Sequence, residues 1–209
     1  MRQTPRHLRF ARELLCLLVR VLVGSYPAGK ALPEGPQRVY FANHTSHLDT
    51  MTLLASMSID ERSRSRPVAA RDYWAADKLR LWIASQVLNV VFIDRQRREE
   101  GQDPLAPLHE ALRQGDSLII FPEGTRNNAE LPAEFKSGLF HLSRAFPQVE
   151  FVPVYLENLH RIFPKDSNLP VPLINRVHFG EPLQLAAEEE KADFLTRARQ
   201  AVCALYPGR

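Results

Sequence analysis

Short apolar runs alternate with amphipathic stretches along most of the chain. Buried strands are predicted where the runs are short and rich in β-branched or aromatic residues, at 39–42, 67–70, 87–93, 117–121, 149–156 and 176–179. Helices are predicted where apolar residues recur every three to four positions, at 48–57, 74–86, 103–114, 134–146 and 186–206. Strands that alternate with helices favour an α/β fold, with a mostly parallel central sheet flanked by helices.

The first stretch, residues 6–24, has a basic amphipathic pattern. Its charged residues fall within about a third of a helix circumference, and apolar residues fill most of the rest: Arg2, Arg6, Arg9, Arg12, Glu13 and Arg20. Its longest apolar run, 14–19, is far shorter than the ~18 residues that span a bilayer. We therefore expect residues 1–26 to form a membrane-interface helix that meets anionic lipids, and residues 27–209 to form the α/β domain. The alternative is a helix packed on the protein's own core.

Composition narrows the class of protein only slightly. The 209 residues are 44% hydrophobic and 24% charged, which is ordinary for a globular protein. The net charge of +3 is compatible with an anionic substrate or membrane surface. This weak charge, without interleaved basic and aromatic patches, argues against nucleic acid as a partner.

The stretch from Asn43 to Asp49 carries the first candidate chemistry, because it follows a predicted strand and opens a predicted helix. If His44 lies on the turn and Asp49 in the first helical turn, the carboxylate can accept the Nδ1–H bond. The other ring nitrogen, Nε2, is then left to take a proton. The alternative is a capped helix start, with Thr45 or Ser46 as the N-cap and Asp49 near the positive helix end.

Two further polar segments follow predicted strands. A basic cluster spans 94–98, and a sharp Pro-Glu-Gly-Thr-Arg loop spans 122–126. In open α/β sheets, ligands bind outside the carboxyl ends of the strands. We therefore expect these segments and the His44 turn to converge on one site.

Four blocks of sequence together resemble a known family. Asn43, His44 and Asp49 form an N-H-x4-D motif, and the other blocks are Phe-Ile-Asp-Arg at 92–95, Phe-Pro-Glu-Gly-Thr-Arg at 121–126 and Phe-Val-Pro-Val at 151–154. In this order and spacing they resemble the glycerolipid acyltransferases, of which lysophosphatidic acid acyltransferase is the best known. One departure is Asn89, where the second block often has glycine.

The resemblance implies transfer of a fatty acyl group from acyl-CoA or acyl carrier protein to the hydroxyl of a lysophospholipid. The implied acceptor is 1-acylglycerol-3-phosphate, giving phosphatidic acid. His44 would deprotonate the acceptor hydroxyl and Asp49 would fix its tautomer. The implied substrate-binding residues are Arg95, Glu123, Gly124, Thr125, Arg126 and Lys136. Beyond the thioester co-substrate no cofactor and no metal is expected, and the expected location is peripheral, at the cytoplasmic face of the cell membrane.

Structural interpretations stand beside these roles. Arg95 and Arg126 suit a phosphate because guanidinium groups are planar and permanently charged, but each also fits a surface ion pair. Glu123 also fits a carboxylate that braces a loop, and Lys136 an exposed helical lysine.

A different class of enzyme also remains open. In a metal-dependent hydrolase, His44, His47 and Asp49 would be the ligands, since imidazole and carboxylate are suitable donors. No further ligand with motif spacing lies nearby.

Overall fold

Seven strands form one central sheet in the computed structural model, which describes residues 5–28, 35–46, 48–75, 77–94, 103–127, 129–157 and 175–208. The strands are β1 (Ser25–Pro27), β2 (Arg38–Ala42), β3 (Ser65–Ala70), β4 (Val91–Ile93), β5 (Ser117–Ile120), β6 (Glu150–Leu156) and β7 (Asn175–Phe179). Their order across the sheet is β1-β7-β6-β2-β5-β3-β4. Only β6 and β7 pair antiparallel, so the predicted mostly parallel α/β sheet is confirmed.

Helices cover both faces of this sheet. They are α1 (Arg6–Val23), α2 (Asp49–Ser56), α3 (Ile59–Arg64), α4 (Arg71–Ala75), α5 (Lys78–Trp82), α6 (Ala106–Arg113), α7 (Gly138–Ala145) and α8 (Lys191–Ala204). A π-helical turn (Ile83–Val87) continues α5. Side chains of α1, α2 and the π-helical turn build the core on one face, and those of α6, α7 and α8 build the core on the other.

The central strand β2 shows why the chain forms two cores. All five of its residues are buried. Successive side chains of a strand point to opposite faces. Tyr40 and Ala42 accordingly join the core under α1 and α2, while Val39 and Phe41 join the core under α6 and α7.

Helix α1 has one face on the protein's own core, as one of its two sequence alternatives expected, and an apolar face that is exposed. One face packs on the core through Leu8, Cys16, Val19 and Val23. The opposite side exposes a continuous row of large apolar side chains: Phe10, Leu14, Leu17, Leu18, Val21 and Leu22. No described helix is both long enough and apolar enough to cross a bilayer.

Arg12 does not share the exposure of Arg6 and Arg9, with which the helical pattern groups it. Its side chain is buried on the core-facing side of α1, and this burial lowers the pKa of the guanidinium. Beside it, Arg62 of α3 forms an ion pair with Glu13, which ties the first helix to the segment after α2. Helical periodicity alone does not reveal such a neighbour.

The segment between α4 and β4 also differs from its prediction. A strand over 87–93 was expected, but only Val91–Ile93 is extended. Residues 87 and 88 complete the π-helical turn, where Leu88 N–H donates to the carbonyl of Ile83. Asn89 then turns the chain with φ of 53°, in the left-handed region. The apolar run is buried against the core, and burial alone does not distinguish a strand from a tight helical turn.

Candidate active site

His44 and Asp49 form a hydrogen-bonded pair where β2 passes into α2. The distance from His44 Nδ1 to Asp49 Oδ2 is 2.7 Å. Asp49 is completely buried, whereas the His44 side chain keeps 23% of its surface exposed. With Nδ1–H donated to the carboxylate, the second ring nitrogen, Nε2, carries the lone pair that can accept a proton.

The turn is built around the same carboxylate oxygen. Asp49 Oδ2 also accepts the backbone N–H groups of Thr45 at 2.6 Å and Ser46 at 2.9 Å. Helix α2 begins at Asp49 itself, and neither Thr45 nor Ser46 is its N-cap. Asp49 therefore fixes both the loop and the imidazole, which a simple capped helix start would not do.

Asn43 joins the end of β2 to the end of β6. Its side-chain oxygen accepts the N–H of Leu156 at 2.7 Å, and its amide donates to the carbonyl of the same residue at 3.1 Å. The side chain thus replaces a missing backbone partner and holds the site against β6.

The loop after β5 surrounds His44. The ring of Phe121 stacks on the imidazole, with 4.3 Å between centroids and 20° between planes. The buried Glu123 carboxylate accepts the N–H of His44 at 2.8 Å and that of Ala133 at 2.9 Å. Asn127 N–H donates to the His44 carbonyl at 2.7 Å. Three residues from this loop therefore contact one histidine.

A cavity of about 1020 Å³ opens beside His44. Thr125, Arg126 and Lys136 line it and are exposed, whereas Glu123 is buried behind it. Apolar side chains of α6, of α7 and of the residue before α6 form another part of its wall: Leu105, Leu108, Leu139 and Leu142. The cavity therefore offers both cationic groups and apolar surface next to the imidazole.

Gly124 allows the loop to lie close to Lys136. Its φ is 72°, in the region that favours glycine, and a Cβ there would lie 2.7 Å from Lys136 Cε and Nζ. Lys136 precedes α7 and is not an exposed lysine within a helix. The end of its side chain, from Cδ to Nζ, lies over Gly124, and the residue lines the cavity.

Two residues named from the sequence, Arg95 and His47, lie outside the described residues. Near the first of them, Asp94 lines the cavity and lies 3.5 Å from Arg71, whose guanidinium also lies over Phe92. The described residues contain no group of three potential metal ligands. The hydrolase alternative gains no support from the described contacts, in which His44 Nδ1 and Asp49 Oδ2 bond to each other.

Sequence reasoning gave no role to three residues that hold the site: Asn43, Phe121 and Asn127. Asn43 and Phe121 lie inside the motif blocks, so the sequence marked their positions but did not indicate what their side chains do. Asn127 acts through its backbone, which no side-chain pattern can indicate.

Comparison with known proteins places this geometry in a family. The acyltransferase family model matches residues 28–157. The chain is 31% identical over 136 residues to human 1-acyl-sn-glycerol-3-phosphate acyltransferase alpha, covering 64% of this chain and 45% of that protein. It is 27% identical over 128 residues to 1-acyl-sn-glycerol-3-phosphate acyltransferase of Haemophilus influenzae, covering 58% of this chain and 48% of that one. It thus spans about half the length of these curated relatives.

A solved structure shares the fold. The 1-acyl-sn-glycerophosphate acyltransferase PlsC from Thermotoga maritima superposes with a TM-score of 0.74 at 18% identity, covering 100% of this chain and 85% of that one. The family match spans the His44–Asp49 turn, the loop around Glu123 and the strand that Asn43 holds. On this evidence, the chain belongs to the acyltransferase family.

Proposed function

We propose that this chain transfers a fatty acyl group from a thioester donor to the hydroxyl of 1-acylglycerol-3-phosphate, forming phosphatidic acid. The observation that carries the proposal is the His44–Asp49 pair, 2.7 Å apart, on a cavity that Arg126 and Lys136 also line. The names of the human and Haemophilus relatives give the acceptor class.

In the proposed reaction, His44 Nε2 removes the hydroxyl proton while the acceptor oxygen attacks the thioester carbonyl carbon. The new C–O bond forms and the carbonyl electrons move to oxygen. When this oxyanion collapses, the C–S bond breaks, and the thiolate leaves with the proton from the imidazolium. The products are an ester and a free thiol, and His44 returns to its neutral form.

The carboxylate of Asp49 has two roles in this proposal. It holds Nδ1 protonated, so that Nε2 faces the reaction as a base, and its charge stabilises the imidazolium. A positioned base typically contributes about 10² to 10⁴ in rate. No acyl-enzyme is required, because the thioester is already activated.

Arg126 and Lys136 suit the acceptor phosphate because both are cationic and line the same cavity as His44. Arg95 is assigned to the same phosphate on its motif position alone, and Gly124 and Thr125 to the acceptor-side wall. The apolar part of the wall suits the fatty chains of the substrates. The cavity is also large enough, since cavities of about 300–1,000 Å³ hold small-molecule ligands. No metal or bound cofactor enters the proposal.

The direct test is incubation of the purified chain with labelled oleoyl-CoA or oleoyl carrier protein and a panel of lysophospholipids, followed by mass spectrometry. We expect labelled phosphatidic acid from 1-acylglycerol-3-phosphate and far less product from acceptors that lack a terminal phosphate. The two donors run in parallel identify which thioester is used. Release of free fatty acid without ester formation would contradict the proposal.

We also propose that the exposed apolar row of α1 binds the surface of an anionic membrane. Phe10 and Val21 are each 71% exposed, and arginines at 6 and 9 lie in the first turns of the same helix. Buried apolar area and attraction to anionic lipids both add to interfacial binding.

This proposal is tested with a double variant, Leu18→Asn with Val21→Asn, in a vesicle co-sedimentation assay. The matched control is Ala192→Asn with Ala204→Asn. Both positions are exposed on α8, a helix that lies on the other face of the sheet. We expect the α1 variant to lose binding to vesicles that contain phosphatidylglycerol, and the control to keep it. Equal binding by both variants would exclude the row as the contact.

A further inference from the structure

The backbone of His44 is held from both sides by the loop after β5. Its N–H donates to Glu123 Oε1 at 2.8 Å, and its carbonyl accepts the N–H of Asn127 at 2.7 Å. His44 lies two residues beyond the end of β2, so it has no ladder bonds of its own from that strand. The loop supplies those partners instead.

Glu123 is turned away from the cavity, unlike the three residues that follow it. Gly124, Thr125 and Arg126 line the cavity, but the Glu123 side chain is buried and absent from the wall. Its second oxygen, Oε2, accepts the N–H of Ala133 at 2.9 Å. Each carboxylate oxygen is thus committed to a backbone group of the protein.

From these contacts we propose that Glu123 is a positioning residue for His44, and that its carboxylate does not bind the acceptor. The inference rests on the proposed function, in which His44 is the base. It differs from the role that sequence resemblance implied for Glu123, which was acceptor binding.

The physical reason is that the position of the His44 backbone determines where the imidazole lies relative to the acceptor hydroxyl. Asp49 fixes the ring through Nδ1 and holds the peptide that follows His44 through the N–H of Thr45, and Phe121 stacks on the ring. The N–H of His44 itself, on the strand side of the residue, is held by Glu123. A hydrogen bond from N–H to a carboxylate is charge-assisted and about twice as strong as a neutral one. A displacement of about 1 Å at a reacting group can cost about 10²-fold in rate.

The variant that separates the two roles is Glu123→Gln. The side chain keeps its size but loses its charge. One of its two bonds is lost, and a bond to His44 that remains is no longer charge-assisted. If Glu123 positions His44, kcat falls about tenfold or more while KM for 1-hexanoylglycerol-3-phosphate stays within twofold. A tenfold rise in that KM with unchanged kcat would overturn the proposal.

A double variant provides a second kinetic test. Because Glu123 is proposed to act through His44, adding Glu123→Gln to His44→Ala should lower the residual rate by less than twofold. A further loss equal to that of the single variant would mean that Glu123 acts independently of the base. The thermal unfolding midpoint of each variant reports whether the fold survives.

A measurement on the unaltered protein avoids any dependence on how a variant folds. In an NMR spectrum, the amide of His44 should be shifted downfield and protected from exchange. Both properties should persist when 1-hexanoylglycerol-3-phosphate saturates the protein, because the carboxylate stays on the amide. Loss of protection on saturation would show that Glu123 leaves His44 for the ligand. If this lipid neither binds nor reacts while the amide stays protected, the proposed function fails and the Glu123–His44 contact stands.

Discussion

Two carboxylates hold His44 at different points: Asp49 bonds to Nδ1 of the ring, and Glu123 accepts the backbone N–H. The His44–Asp49 pair could be predicted, because one carboxylate after a strand-to-helix turn can reach an imidazole five positions earlier. The orientation of the Glu123 side chain, away from the cavity, could not be predicted from the sequence. It depends on the N–H groups of His44 and Ala133, which come near the carboxylate only when the chain has folded.

Arg126 gives the residue-scale prediction for substrate binding. Arg126→Ala should raise KM for 1-acylglycerol-3-phosphate about 10- to 100-fold with a smaller effect on kcat, since hydrogen bonds to charged groups contribute about 1.5–3 kcal/mol. Steady-state kinetics with varied acceptor measure this. Arg113→Ala, at an exposed position of α6 outside the cavity wall, is the matched control. An unchanged KM for the acceptor would remove Arg126 from the phosphate site.

Glu123 also gives a prediction for stability against pH. Burial raises the pKa of its carboxyl above the ordinary value of 4.5, and hydrogen bonds from Ala133, His44 and Asn127 oppose this only in part. The folded protein therefore holds the proton more tightly than the unfolded chain does. The resulting stability is full below 4.5 and is lost as the pH rises through the folded pKa.

The Glu123→Gln variant lacks this titration, while every other group is shared. The free energy of unfolding of the wild type relative to the variant should therefore fall as the pH increases from below 4.5 towards neutrality. Urea unfolding of both proteins over that range measures the difference. A constant difference, or one that grows with pH, would be inconsistent with a carboxyl whose pKa is raised by burial.

At the scale of elements, most strands and helices around the two cores were predicted, because their apolar periodicity is strong. The helix expected over 74–86 is instead divided between α4, α5 and the π-helical turn. The predicted boundaries differ from the observed ones where loops carry buried apolar residues. The helix expected from residue 134 begins at Gly138, because Phe135 is buried from the preceding loop. The short strand β1 was not predicted: three residues paired to β7 leave too little pattern in the sequence.

The turn after the π-helix gives an element-scale prediction. Asn89 has φ of 53°, which asparagine and glycine adopt readily and β-branched residues do not. Asn89→Val should lower the free energy of unfolding by about 1–2 kcal/mol, whereas Asn89→Gly should change it little. Urea unfolding of the two variants decides this, and equal stabilities would contradict the left-handed turn.

A buried network of ion pairs and hydrogen bonds joins α3 to the amino-terminal part of β2, away from the end that leads to His44. Glu61 accepts Tyr40 Oη–H at 2.6 Å and Arg38 Nη1–H at 3.0 Å, and it also pairs with Arg64. Tyr40→Phe should cost about 1–3 kcal/mol of stability, because it removes one bond to a buried carboxylate. Since this network lies before the strand reaches His44, kcat at a temperature where the variant is folded should match wild type. Loss of activity without loss of stability would show that the network reaches the site.

At the scale of the whole molecule, the parallel sheet explains how distant blocks meet. The carboxyl ends of β2 and β5 are adjacent, because these strands pair in parallel register from Val39–Leu118 to Phe41–Ile120. The turn that carries His44 and the loop that carries Glu123 leave the sheet at that same edge. A parallel sheet follows from the alternation of strands and helices, so the convergence of the two loops at one edge could be predicted from the sequence. The order of the strands in the sheet could not.

The exposed surface is also divided between the two faces. Among the described residues, every exposed large hydrophobic side chain lies between Phe10 and Trp82, in the part of the chain that builds α1 to α5. The helices on the other face, α6, α7 and α8, expose none in their described portions. This asymmetry is the molecular-scale reason to expect that one face meets lipid.

The central claim is that His44 is the base, and it is tested most directly by the turnover of His44→Ala with oleoyl-thioester and 1-acylglycerol-3-phosphate. The control is His178→Ala, which removes an imidazole bonded to Glu157 outside the cavity wall. We predict that His44→Ala lowers kcat/KM by about 10² to 10⁴ with a thermal unfolding midpoint close to that of wild type. A folded His44→Ala variant that keeps more than about a tenth of wild-type activity would contradict the account, since a positioned base contributes far more than that.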